Sequence, residues 1–192
     1  MTKDFLDESK DQVEDLITFQ RFSRWTTLDD MIMGGSSCST CKVCSSGLLL
    51  EGNVVEKNGG FVSCRSELFQ PKLDLSRFSG IQLKVDAHGK TLKFAITSSN
   101  TLFGFSRFIP RGLKWVSTFS TKSSGTTIKR IAFNQLQPNV RASKISLPIE
   151  FNKRAITRFH LLYSKFGISG EMNKDFNDGN IRILVRSISA YY

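Results

Sequence analysis

From Trp25 onward, apolar and polar positions alternate in short runs broken by turn residues. Ile81, Leu83 and Val85 alternate with Gln82, Lys84 and Asp86, and a turn follows at His88, Gly89 and Lys90. Leu92, Phe94 and Ile96 then alternate with Lys93 and Thr97. This is the pattern of a hairpin with one face wet and one face dry. Runs of the same kind predict strands over 47–56, 60–69, 102–109, 113–120, 126–133, 155–163 and 180–190. Turn signals separate them at 58–60, 110–112, 123–125 and 177–179, each carrying glycine. About eight strands with no helices between them predict an all-β fold, an antiparallel β-sandwich of the jelly-roll kind. The polar stretch 134–154, with two prolines, reads as a long excursion between strands.

Only the first residues have a helical period. Phe5, Leu6, Val13, Leu16 and Ile17 fall near one face of a helix over 3–20, with acidic residues on the other face. The expectation is one N-terminal amphipathic helix within 1–21, packed outside a single sandwich domain over 22–192.

Charge sharpens this division. Lys3 and Lys10 face six carboxylates within residues 1–20, a net of −4, so the remainder carries +14 of the chain's overall +10. A basic body favours anionic partners: nucleic acid, anionic lipid or an acidic protein surface. No apolar run approaches the roughly 18 residues of a membrane helix. The acidic N-terminus has neither a secretory signal nor a transit-peptide pattern, so the expected location is cytoplasmic, at most peripheral to a membrane. Sixteen phenylalanines outnumber three tyrosines and two tryptophans. Phenylalanine packs between sheets without needing a hydrogen-bond partner, so most of these rings read as core.

Three segments carry a family resemblance. Residues 25–36 read WTTLDDMIMGGS, residues 58–66 read NGGFVSCRS, and residues 78–85 read FSGIQLKV. Together with the segments at 119–121, 131–133 and 181–191, they resemble the complex I intermediate-associated protein 30 kDa family over about residues 22–191. The resemblance implies a galactose-binding-like jelly roll. It also implies a non-catalytic assembly factor, or chaperone, for a membrane NADH dehydrogenase-type or photosynthetic complex, whose subunits would be the partners. The chain departs from the family pattern at Ala132, where proline is usual, at Ala142 after Arg141, and at Thr126 and Thr127, where a tryptophan is common.

The candidate partner-binding residues are Trp25, Asp30, Gly34, Gly35, Arg65, Trp115 and Arg141. Asp30, Gly34 and Gly35 suit either a fixed turn, with the aspartate accepting turn amides, or a rim loop that touches a partner. Arg65, on a strand, must face solvent, pair with Asp29 or Asp30, or read an anion. Trp25 and Trp115 suit either core anchors or sugar-stacking platforms. Arg158 and His160 share one strand face, as do Arg182 and Arg186, and make a basic face if those strands are neighbours.

Cys38, Cys41 and Cys44, spaced by two residues, invite a metal or cluster reading with Cys64. If 38–44 is a strand, Cys41 points away from the other two; the alternative is a set of thiols in a variable loop. No metal and no cofactor are expected. The two histidines show no nucleophile–base spacing, and neither a P-loop nor a nucleotide-binding glycine fingerprint occurs. The alternatives to the assembly role are a carbohydrate-binding module, with aromatics on a concave face, and a basic-surface binder of nucleic acid or anionic lipid, with salt-sensitive binding.

Overall fold

The computed structural model describes residues 12–17, 19–99, 112–140, 143–145 and 150–192. It is built from two antiparallel sheets packed face to face. The strands are β1 (Val13–Asp15), β2 (Thr26–Thr27), β3 (Cys38–Cys44), β4 (Gly47–Val54), β5 (Phe61–Arg65), β6 (Gly80–Asp86) and β7 (Thr91–Ser98). They continue with β8 (Lys114–Ser120), β9 (Thr127–Ala132), β10 (Gln137–Val140), β11 (Ser143–Lys144), β12 (Ile156–Ser164) and β13 (Gly179–Tyr191). One sheet runs β3-β4-β13-β6-β9, with β1 added alongside β13; the other runs β11-β10-β8-β7-β12-β5-β2.

The core lies between the sheets. Leu48, Leu50, Ile81, Leu83, Val85, Ile181 and Ile183 point inward from the first sheet and meet Val62, Cys64, Leu92, Phe94, Phe159, Leu161 and Tyr163 from the second. Phe159 is the hub of the aromatic packing, with ring centroids 5.1 Å from Phe69 and 5.5 Å from Phe94. Two bulges keep this inward phase. Between Val185 and Ser187, Arg186 is the extra residue, so Ile183 and Val185 before it and Ile188 and Ala190 after it all face the core. Between Ile156 and Arg158 the extra residue is Thr157, so Ile156 and Phe159 are both buried while Arg158 is turned to the outer face.

The strands expected from alternation are present, most within two residues of their predicted ends; 60–69 is shorter, ending at Arg65, and 102–109 lies outside the described residues. Two segments differ from expectation. Residues 38–44 form an edge strand on β4 rather than a variable loop, and the excursion after residue 134 contains β10 and β11. The N-terminal helix over 3–20 is corrected as well. Val13, Glu14 and Asp15 are a strand paired with Tyr191, Ala190 and Ser189, and the only helical turn there among the described residues is α1 (Phe19–Phe22). The long strand β13 offers backbone partners beyond the end of β4, and the Ser189 hydroxyl donates to Asp15 Oδ1 at 2.6 Å. Leu16 and Ile17 are buried, so the apolar residues there cover the core without helical geometry. Residues 3–11 of the expected helix lie outside the described residues. No helix among the described residues is long and apolar enough to cross a membrane.

The packing makes Phe159→Ala the most damaging truncation, with an expected loss of roughly 3–5 kcal/mol. Equilibrium denaturation in urea checks this; a loss below about 1 kcal/mol would contradict the hub role.

Candidate functional site

The segment after β2 is held by two adjacent carboxylates. Asp30 is fully buried, and its oxygens accept from four donors: the Ser37 amide (2.8 Å), the Ser37 hydroxyl (2.6 Å), the Gly60 amide (2.7 Å) and the Phe61 amide (3.2 Å). Burial by itself pushes the Asp30 carboxyl up, but these hydrogen bonds outweigh it and hold the group below its ordinary range. Asp29 accepts from the Ser39 amide (2.7 Å), the Ser39 hydroxyl (2.7 Å) and the Ser63 amide (3.2 Å). Ser37 also ties in the chain beyond β4, since its hydroxyl accepts from the Val55 amide at 2.9 Å.

Glycine is required where the backbone comes this close. A Cβ on Gly35 would sit 2.3 Å from Asp30 Cγ, and one on Gly59 would sit 2.2 Å from Asp30 Oδ2. The Met-Gly-Gly and Asn-Gly-Gly segments, separated by about two dozen residues, are thus two walls of one carboxylate cradle. Gly34, at φ +85°, closes the short 3₁₀ turn Asp30–Met33 in the left-handed region. That turn presents Met31, Ile32 and Met33 outward, with 65%, 67% and 68% of their surface exposed. Three consecutive large apolar side chains on a pinned turn form an exposed apolar patch of the kind that marks interaction sites.

The outer face of the seven-stranded sheet is different in character. Register places Arg65 opposite His160, with Arg158 two residues along β12 on the same side. Lys114 Nζ lies 3.0 Å from His160 Nδ1, and His160 Nε2 lies 2.9 Å from Ser63 Oγ. Burial, then the charges of Lys114, Arg65, Arg158 and Lys93, holds the imidazole well below its ordinary range. Lys93 is pushed down to about 8 by burial, and its ammonium donates to the Phe166 carbonyl at 2.6 Å. Beside it a cleft of about 270 Å³ is lined by Lys93, Glu171, Asn173 and Asp175 among others.

The sequence candidates are distributed as follows. Asp30, Gly34 and Gly35 come together in the cradle. Arg65 does not pair with Asp29 or Asp30, because both carboxylates are taken by serine and backbone donors; it belongs to the basic outer face. Trp25 and Trp115 are each 5% exposed, against Phe22 and Phe151 respectively, so neither presents a ring to a partner. Arg141 lies outside the described residues. Cys38 and Cys44 share the outer side of β3, while Cys41 turns inward toward Cys64 on the facing sheet. Contact with Cys41, burial and the nearby Asp29 push the Cys64 thiol well above its ordinary value, which keeps it protonated. The four do not converge on one point, and no group of three metal-ligating side chains occurs among the described residues. Arg182 and Arg186 lie on the other sheet, paired with Glu51 and Asp86, and add nothing to the basic face. The exposed Met31, Ile32 and Met33 and the Lys114–His160 contact went unremarked in the sequence. The signal available for the first was three apolar residues in a row just before Gly34 and Gly35, where a turn was expected.

The cradle makes stability depend on an ionised Asp30. A carboxyl held below its unfolded value of about 3.9 contributes fully above that pH and loses its contribution as pH falls toward its folded value. Asp30→Asn, which puts an amide against N–H and O–H donors, is expected to cost roughly 2–4 kcal/mol at pH 7. Its deficit against the unaltered protein should shrink as the pH is lowered below about 4 in urea titrations. A deficit that stays constant over that range would contradict the account.

Comparison with known proteins places this geometry in context. A carbohydrate-binding module of family 11, from the cellulosomal cellulase Lic26A-Cel5E of Clostridium thermocellum, superposes with a TM-score of 0.60 at 14% identity, covering 94% of both chains. The module solved with a β-1,3-1,4-mixed-linked tetrasaccharide superposes equally, at 15% identity over 93% of this chain and 95% of that one. An agarase, AgWH50C, matches at TM-score 0.56 and 8% identity, with 94% of this chain but only 25% of the enzyme aligned. At these identities the likeness shows a shared jelly-roll-like sandwich and nothing finer. No individually curated protein matches the sequence. The model of the family Complex I intermediate-associated protein 30 (CIA30) matches residues 14–185, which takes in the cradle, the apolar turn, every strand of the seven-stranded sheet and the other sheet except the first residue of β1 and the second half of β13, and the chain belongs to that family.

Proposed function

We propose that the chain is a non-catalytic protein-binding module that serves the assembly of a membrane NADH dehydrogenase-type or photosynthetic complex. Membership of the family supports an assembly role. The observation that carries the reading is the apolar turn: Met31, Ile32 and Met33 are about two-thirds exposed, yet the turn begins at Asp30, whose buried carboxylate is anchored by four hydrogen bonds from Ser37, Gly60 and Phe61. Leaving three such side chains in water is unfavourable, and a rigid turn loses little further entropy when a partner covers it. Methionine adapts its shape to an apolar partner surface more readily than a branched side chain does.

The likeness in fold to carbohydrate-binding modules supports a second reading, but the tryptophans and tyrosines of the described residues offer little for stacking on a sugar. Both tryptophans and Tyr163 are buried, and Tyr191 ends the last strand of the other sheet, with Tyr192 just after it. The outer face of the seven-stranded sheet carries Arg65, Lys93, Lys114 and Arg158.

The test is recovery of partners from gently solubilised membranes of the native host, using the tagged chain and a variant carrying Met31→Ser, Ile32→Ser and Met33→Ser. The altered residues are exposed, so the melting temperature should change little. Recovery of NADH dehydrogenase-type or photosynthetic subunits should fall at least tenfold, corresponding to a loss of about 1.4 kcal/mol or more. Equal recovery by both proteins, or recovery of the bait alone, would sink the reading.

A further inference from the structure

The basic outer face holds cations whose charge nothing among the described residues neutralises. Elsewhere on the molecule cations meet carboxylates: Arg24 with Glu67, Lys165 with Glu56, Arg182 with Glu51, and Arg186 with Asp86. Arg65, Lys114 and Arg158 meet none. We propose that these three residues form a binding site for a phosphate-class oxyanion on the outer face of the seven-stranded sheet. The inference goes beyond the assembly role and does not depend on it.

The strand geometry gathers the three. Arg65 on β5 lies opposite His160 on β12, and Arg158, two residues before His160, stands on the same face. The Thr157 hydroxyl donates to the Thr97 carbonyl at 3.0 Å across the bulge. Lys114, on β8, reaches over β7 to His160. A chain of donors fixes the state of the histidine. The Ser63 hydroxyl donates to the Leu28 carbonyl, so Ser63 Oγ accepts from His160 Nε2–H, and His160 Nδ1 accepts from Lys114. The imidazole is therefore neutral and spent, and the Lys114 ammonium keeps its charge and its two remaining protons. Arg158 Nε is buried with no acceptor, although a guanidinium offers five donors in a rigid fork.

The arrangement stores unfavourable energy that an anion would relieve. Burial, then Arg65 and Arg158, pushes the Lys114 ammonium below its ordinary value, and burial, then Arg65, does the same to Arg158. Lys93 stands apart, with its ammonium on the Phe166 carbonyl and Glu171 nearby. Three positive charges without a carboxylate suit a doubly charged oxyanion, which accepts from two guanidinium forks and an ammonium at once.

Calorimetric titration of the whole protein with inorganic phosphate, at constant ionic strength and with chloride as the control anion, tests the site. The expected result is one-to-one binding that weakens at least tenfold in Lys114→Gln and in Arg158→Gln and is unchanged in Lys42→Gln, an exposed cation on the other sheet. A readout on the unaltered protein guards against variants that fail to fold: the ¹⁵N resonance of Arg158 Nε should shift on adding phosphate. Sedimentation with vesicles separates the sources. Binding to phosphatidic acid in phosphatidylcholine, absent with phosphatidylcholine alone and lost in the same variants, assigns the anion to a lipid headgroup. Phosphate binding without vesicle binding assigns it to a soluble ligand. No phosphate heat with an unmoved Arg158 resonance, or binding weakened equally by Lys42→Gln, would overturn the proposal.

Discussion

One buried carboxylate organises the end of the sandwich that carries the family's signature residues. Among the described residues no cation pairs with Asp30. Its charge is spread over three backbone amides and one hydroxyl drawn from the turn before β3 and the turn before β5. An anion in this setting is stable only while every donor stays in place. The glycines follow from that requirement: Gly35 and Gly59 are where the chain passes so close to the carboxylate that a methyl group would collide with it. The serine at 37 follows as well, because its hydroxyl gives a proton to Asp30 and takes one from the Val55 amide.

The cradle reaches both candidate surfaces. On one side it fixes the 3₁₀ turn whose apolar residues stand in solvent. On the other, the neighbouring Asp29 holds the Ser63 amide, and the Ser63 hydroxyl lies between the Leu28 carbonyl and His160, whose other nitrogen meets Lys114. The segment Leu28–Asp30 therefore positions a solvent-exposed apolar turn and one end of the hydrogen-bond chain that orients a cationic face. The two surfaces differ in the chemistry they would recognise, so they need not compete for one ligand. The jelly-roll-like frame is shared with carbohydrate-binding modules, and here the outer face of the seven-stranded sheet carries cations. A common fold carries different recognition chemistry by changing which side chains stand on one face.

The strands were legible because their inward residues are large and apolar and their spacing is two, as in β6 and β7. Strand β3 was not, because CSTCKVC is small and polar; its place at the sheet edge requires only one inward row of Ser39, Cys41 and Val43. The N-terminal segment misled for the opposite reason. Its apolar spacing fits a helix, but the backbone partners supplied by β13 decide its form, and tertiary pairing overrides local pattern. For the site, the signature segments could be located but not connected, since the contact between residue 30 and residues 59–61 is long-range. Asp29 and Asp30 were natural partners for Arg65 by charge alone. The structure favours hydrogen bonds from neutral donors, which avoid burying a guanidinium beside the carboxylate. The bulge at Thr157, which lets Ile156 face the core together with Phe159, was invisible as well.

The central claim is that Asp30 holds an apolar turn in position for a protein partner. Photo-crosslinking from a diazirine amino acid placed at Ile32, in cells that contain the assembling complex, tests it most directly, with the exposed Ile128 of β9 as the reference position. The account predicts adducts between the Ile32 probe and a subunit or assembly intermediate of an NADH dehydrogenase-type or photosynthetic complex, with none from Ile128. A folded protein whose Ile32 probe yields no such adduct, or only the adducts also formed from Ile128, would contradict it.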